Sequence, residues 1–120
     1  MLNDAHVGTS FSKVYLLTGY TDMRKGITQL ASLIEMQFKL DAHQKGVLFL
    51  FCGRNRHKLK GLLWEGDGYL LLSKNLTDGK FVWPNDISEM KDLTDEQYQR
   101  LMSGFAIESS IRCTRPKYIG

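Results

Sequence analysis

Residues 47–76, VLFLFCGRNRHKLKGLLWEGDGYLLLSKNL, leave few folds open, because two apolar runs enclose a positively charged segment and a glycine-rich turn. Val47 to Cys52 carries no polar break except its terminal thiol, and an apolar run of strand length reads as a strand buried on both faces. After the charged segment, Leu59 to Glu65 and Tyr69 to Leu76 flank Gly66-Asp67-Gly68. Asp-Gly is a strong hairpin signal, because a type I′ turn needs positive φ at both central residues.

With Asp67-Gly68 as a two-residue loop, Trp64 faces Leu71, Leu63 faces Leu72 and Lys60 faces Asn75. Taking all three residues as the loop would set Lys60 against Lys74, an unfavourable like-charge pair, so the first register is preferred. It puts Leu59, Leu63, Leu70, Leu72 and Leu76 on one face, read as the core face. Lys58, Lys60, Leu62, Trp64, Tyr69, Leu71 and Ser73 fall on the other.

Upstream, Val14 to Thr18 is a strand candidate bounded by Gly19. Thr21 or Asp22 then caps a helix whose positions Met23, Ile27, Leu30, Ile34 and Phe38 keep the spacing of a core-facing stripe. Strand, helix, strand in that order predicts a crossover joining two parallel strands. Arg24 and Lys25 fall in the helix's first turn, where exposed N–H groups and two cations suit a phosphate. The competing reading is that Asp22 and solvent screen them.

Downstream, residues 81–83 read as a short strand stopped by Pro84, closing an antiparallel meander, and residues 86–92 as a loop or helical turn. Thr94 opens a second helix: Thr94 and Gln97 match a capping box, Leu93 and Tyr98 a hydrophobic staple. Tyr98, Leu101, Met102 and Phe105 form its apolar stripe, and Gly104 marks its end. The fold class expected is α+β: one domain over residues 1–120, a mixed, mostly antiparallel sheet of about five strands, and two main helices. Residues 1–12 and 109–120 are expected to be loosely ordered.

The net charge of +3 is small, but its distribution is uneven. Residues 1–60 hold nine Lys/Arg against four acids, whereas the second half holds seven against nine. Arg54, Arg56, Lys58 and Lys60 lie within seven residues with His57 among them, while Asp86, Glu89, Asp92, Asp95 and Glu96 are relieved by Lys91 alone. With two cysteines, no disulfide framework is legible, and with no signal-like N-terminus or membrane-length apolar run the expected setting is cytoplasmic.

Catalytic patterns are absent. No Walker-type phosphate loop occurs, Cys52 and His57 make at most half a metal site, and His6 and His43 stand isolated in sequence. Asp22 serves as a cap and Asp67 and Asp78 as turn residues, which leaves Glu65 as the lone nuclease-type carboxylate. No metal, cofactor or catalytic residue is therefore assigned. For nucleic acid, Arg24, Lys25, Arg54, Arg56, His57, Lys58 and Lys60 supply phosphate contacts and Trp64 a stacking surface. The residues alone equally allow a solvated loop with Trp64 and Tyr69 packed under the second helix.

Three motifs, GYTDMRKGITQLA, LFLFCGRNRHKLKGLLWEGDGYLLLSKNL and GKFVWP, in this order and spacing, resemble the small TnpB-type accessory protein of the insertion-sequence family numbered 66. The likeness runs from about Val14 to Phe105; the family loop usually carries further bases where Asn55 and His57 stand here. It implies a bacterial mobile-element protein that assists the transposase and has no assigned catalytic activity. Only a name is shared with the much larger RNA-guided nucleases. The expected role is a nonenzymatic DNA-transposition factor whose partners are the element's DNA ends and its transposase. Asp86, Glu89 and Asp92 are the candidate partner-binding surface, and a homodimer joining the acidic and basic patches is left open. The rival readings are an adaptor that docks the transposase without touching DNA, and, less favoured, a metal-dependent nuclease.

Overall fold

The computed structural model describes residues 11–107; the termini expected to be loosely ordered lie, apart from Phe11 and Ser12, outside the described residues. The elements are β1 (Lys13–Leu17), α1 (Ile27–Ser32) continued by a π-helical turn (Leu33–Gln37), β2 (Val47–Cys52), β3 (Lys58–Trp64), β4 (Tyr69–Asn75), β5 (Met90–Leu93) and α2 (Asp95–Met102). They form an α+β domain with one five-stranded sheet in the order β4-β3-β2-β1-β5. Strands β1 and β2 are parallel neighbours, with Val14 opposite Leu48 and Leu16 opposite Leu50. Every other pairing is antiparallel.

Strand β2 is buried at all six positions because the sheet is covered on both sides. Alternation sends Val47, Phe49 and Phe51 towards α1, where Leu17, Leu30, Ile34, Ala42 and Leu62 complete one cluster. It sends Leu48, Leu50 and Cys52 to the opposite face, against Leu59, Phe81, Trp83, Leu93, Tyr98 and Leu101. Each such side chain contributes about 1.5–3 kcal/mol by leaving water. The hairpin's mixed face is thus also a core face: Leu62 is fully buried and Tyr69 and Leu71 pack beside it. It is α1, not the second helix, that covers Tyr69.

The hairpin register differs from the expected one by two residues. Trp64 pairs with Tyr69, Leu63 with Leu70 and Lys60 with Ser73. The Glu65 N–H donates to the Gly68 carbonyl at 2.9 Å, so the two central turn residues are Gly66 and Asp67. Positive φ is needed only at Gly66 (+100°), the pattern of a turn with glycine first rather than type I′. The shift sets Trp64 and Tyr69 edge-to-face at 4.9 Å, a pairing the Asp-Gly register would forgo. A two-residue shift keeps every side chain on its face, so the expected partition between faces stands.

The fifth strand is not residues 81–83. Phe81 and Trp83 are both buried against the α2 side, and the Trp83 indole N–H donates to the Leu17 carbonyl at 2.9 Å, so this segment crosses the end of β1. The free edge of β1 is taken instead by β5, within the stretch read as a loop, with Val14 opposite Leu93. Thr18, fully buried, guides the chain there: its hydroxyl donates to Ile87 O at 2.8 Å and accepts from Glu89 N at 3.0 Å.

Both helices start and stop where local chemistry dictates. Asp22 does not cap α1; Gly26 does, with Gln29 Oε1 accepting from its N–H at 2.8 Å, so Arg24 and Lys25 precede the helix. Helix α2 begins as expected, Thr94 Oγ1 accepting from Gln97 N at 3.1 Å and Gln97 Oε1 from Thr94 N at 2.9 Å. It ends at Met102, and Phe105 lies exposed beyond it rather than in the stripe.

Gly66→Ala should cost about 1–2 kcal/mol, because a Cβ at positive φ is strained. Gly68→Ala should be nearly neutral, since a Cβ there meets nothing within 4 Å. Urea denaturation of the two variants checks the register; the reverse ranking would restore the Asp-Gly turn.

Candidate nucleic-acid interface

The parallel pairing of β1 and β2 brings their carboxyl ends side by side, and the segments that follow face one another. The Thr21 N–H donates to the Cys52 carbonyl at 2.8 Å, tying residues 19–26 to the end of β2. Gly53 is where they touch: a Cβ on it would lie 2.7 Å from Met23 Cγ. Between the two segments runs an open groove of about 460 Å³, lined by Tyr20, Thr21, Asp22 and Met23 on one side and residues 53–58 on the other. Its floor is largely apolar, built on Met23 and Gly53, and the Thr21 hydroxyl beside it is buried without a hydrogen-bond partner.

The four cations of residues 54–60 do different jobs. Arg56 braces the loop from a left-handed backbone (φ +63°): its Nη1 donates to Gly19 O at 2.7 Å, its Nη2 to Asn85 Oδ1, and its carbonyl accepts from Phe81 N at 2.8 Å. Arg54 lies exposed over the Tyr20 ring, 4.5 Å from its centroid, and donates to the Tyr20 hydroxyl at 2.5 Å. Lys58 lines the groove directly. Lys60 reaches back to donate to the Lys25 carbonyl at 2.8 Å, which places both residues at one end of the site. Burial holds the Lys60 ammonium below its ordinary pKa, and the Lys58 charge adds to the shift. His57 also lines the groove, while its Nδ1 lies 3.0 Å from Gly79 O.

Arg24 is largely neutralised. Its Nε and Nη2 donate to the Asp22 carboxylate at 2.8–3.2 Å, and its backbone N–H donates to Asp22 Oδ1 at 2.9 Å. These contacts hold the Asp22 carboxyl well below the usual carboxylate range. The bond is exposed, and its effect is to cancel a charge rather than to stabilise the fold.

Trp64 is not brought to the groove. It ends β3 at the other end from Lys58, about 20 Å along the strand, packed 4.8 Å from the His43 ring. The acidic residues sit at the β5 edge and are partly matched: Lys91 Nζ lies 3.3 Å from Glu89 and 4.0 Å from Asp86, and Lys13 lies 3.1 Å from Asp92. Cys52 is fully buried, which pushes its thiol pKa up against the opposing influence of Arg56, and the contact His57 Nδ1 makes is with Gly79 O. Glu65 and Asp67 are exposed in the hairpin turn, at the Trp64 end of β3.

Sequence reading missed Tyr20, whose ring carries Arg54; the Tyr following Gly19 was the available signal. It also took His43 as isolated, whereas the π-helical turn carries Glu35 to 3.3 Å from His43 Nδ1, with Asp41 at 3.8 Å. The ligand atoms of Glu35, Asp41 and His43 lie within 4.8 Å of one another, the donors a cation could use among the described residues. Both carboxylates also close the local turn, Glu35 Oε2 accepting from Ala42 N at 3.2 Å and Asp41 Oδ1 from His43 N at 2.9 Å.

The model of the family described as IS66 Orf2-like protein matches residues 12–112, which include both sides of the groove. The chain belongs to the IS66 Orf2-like family. It is 34% identical over 108 residues to the uncharacterized protein y4hO of Sinorhizobium fredii, covering 90% of this chain and 93% of that protein. It is 26% identical over 92 residues to the uncharacterized protein y4jC of the same organism, covering 77% and 78%. No solved structure matches the chain. Membership of the Orf2-like family associates the chain with transposition of an insertion sequence, in an accessory family rather than a known enzyme family. No helix among the described residues is long and apolar enough to cross a membrane.

In this Orf2-like chain the two arginines of the loop should separate in a stability measurement. Arg56→Ala is expected to cost about 2 kcal/mol, through two lost charge-assisted hydrogen bonds, whereas Arg54→Ala should stay within about 0.5 kcal/mol. Urea denaturation followed by far-UV circular dichroism gives both numbers; equal losses would refute the division.

Proposed function

We propose that the chain is a nonenzymatic accessory factor for insertion-sequence transposition that binds DNA at the groove between residues 19–26 and 53–60. What supports this reading is that Arg54 and Lys58 line one groove, with Lys25 and Lys60 bonded to each other near its Asp22 side, and that the groove's carboxylate, Asp22, is already committed to Arg24. Cations gathered in this way release counterions from phosphates, the main source of sequence-independent affinity. Arg56 and Gly53 supply the shape, not the charge. Among the described residues that line the groove, no nucleophile and base are brought together in complementary roles.

A second surface supports a protein contact. Ile87 is 90% exposed in the midst of Asp86 and Glu89, and Val82 and Phe105 are exposed nearby in sequence to the hollow lined by Trp83, Pro84 and Ile107. An apolar side chain rimmed by acids suits a basic partner surface, and we assign it to the transposase. DNA and transposase would then sit on neighbouring surfaces at the carboxyl end of β1.

Fluorescence anisotropy with duplex DNA from the element ends tests the reading. Affinity should fall steeply with salt, and the Arg54→Ala/Lys58→Ala double variant should flatten the log–log salt slope by about 2. Asp22→Asn, which keeps the turn's acceptor and frees Arg24, should tighten binding, while Arg24→Ala should change it little. Undiminished binding by the folded double variant would sink the proposal, and binding seen only with transposase present would leave the adaptor role alone.

A further inference from the structure

We infer that the groove takes unpaired DNA, with a nucleobase against its floor and phosphates on its rim, in preference to duplex; the inference rests on the DNA reading above. The groove offers two chemistries at once. Its rim carries Arg54 and Lys58, while its floor is apolar and built from Met23 and the Cβ-free Gly53. A duplex presents phosphates outward and keeps its base faces stacked, so it can satisfy the rim and leaves the floor unfilled. Only an unpaired nucleotide brings an aromatic face and a phosphate to the same concavity.

Tyr20 and Arg54 form a ready platform for that face. Tyr20 is 53% exposed, and the Arg54 guanidinium is already seated 4.5 Å over its ring. The pair is held by the Arg54-to-Tyr20 hydroxyl hydrogen bond at 2.5 Å, so little ordering is left for binding to impose. Guanidinium planes and aromatic rings both stack bases without regard to sequence.

The test uses the whole chain, a fluorescein-labelled oligothymidine of about 10 nucleotides, and the same strand annealed to its complement. Anisotropy at low salt should show the single strand bound about tenfold more tightly than the duplex. Tyr20→Ala should weaken single-strand binding roughly tenfold, the size expected for one lost base stack, and duplex binding far less, by what unseating Arg54 costs the rim. Tyr20→Phe, which keeps the ring, should retain the preference. Equal affinity for the two forms, or a Tyr20→Ala loss of the same size in both or absent from both, would overturn the inference and leave a phosphate-binding rim. Absence of salt-sensitive binding to either form would overturn the DNA reading itself, and this inference with it.

Discussion

The burial of β2 on both faces is the constraint from which the rest follows. Six consecutive buried residues, Val47 to Cys52, need a cover above and below, and the chain supplies α1 on one side and Phe81, Trp83 and α2 on the other. Covering the α1 side requires a crossover between β1 and β2, and a crossover makes them parallel. Parallel neighbours end at the same edge of the sheet. The segments after Leu17 and Cys52 therefore meet, as loops do beyond the carboxyl ends of parallel strands in larger α/β folds. The groove is a consequence of how the core is closed.

Within that groove, position decides what each charge is for. Arg24 and Arg54 are both exposed arginines on facing loops, yet Arg24 is held by Asp22 and Arg54 rests on a tyrosine ring. The first leaves little net charge to offer; the second keeps its charge and gains a flat surface. Arg56, two residues on, uses its donors on Gly19 and Asn85 and so fixes the shape that displays Arg54. A count of bases over residues 54–60 treats these side chains alike, although only part of the cluster is available to an anion.

How much of this was legible in the sequence depended on the range of the interaction. The parallel strand pair, the two hairpin faces and the Thr94–Gln97 cap could be read because periodicity and spacing within a few residues determine them. The hairpin register could not, since Gly-Asp and Asp-Gly are both turn dipeptides and the choice fell to the Trp64–Tyr69 contact across the strands. Strand β5 was hidden because Met90 to Leu93 is short and mostly polar, and its pairing is arranged by Thr18, a residue about 70 positions away in the chain. At the site, the basic loop was visible as a run of charge. Tyr20, Met23 and Gly53 were not, because an apolar floor belongs to two loops that only the fold brings together.

The placement of the two surfaces bears on how the proposed accessory role would work. The groove lies past the carboxyl ends of β1 and β2, and Ile87 and its acidic neighbours, which precede β5, lie beside that same end of β1. Thr18 and Gly19 bond to the segment before β5 through Ile87, Glu89 and Pro84, and the very next residues, Tyr20 and Thr21, line the groove. Gly19 also accepts from Arg56. A protein seated at Ile87 would thus press on the same short backbone stretch that presents Tyr20 and receives Arg56, and coupling through a contiguous set of hydrogen bonds of this kind acts in both directions. In the proposed role, DNA in the groove and a protein at Ile87 would both bear on residues 17–21, so any coupling between the two binding events would be reciprocal.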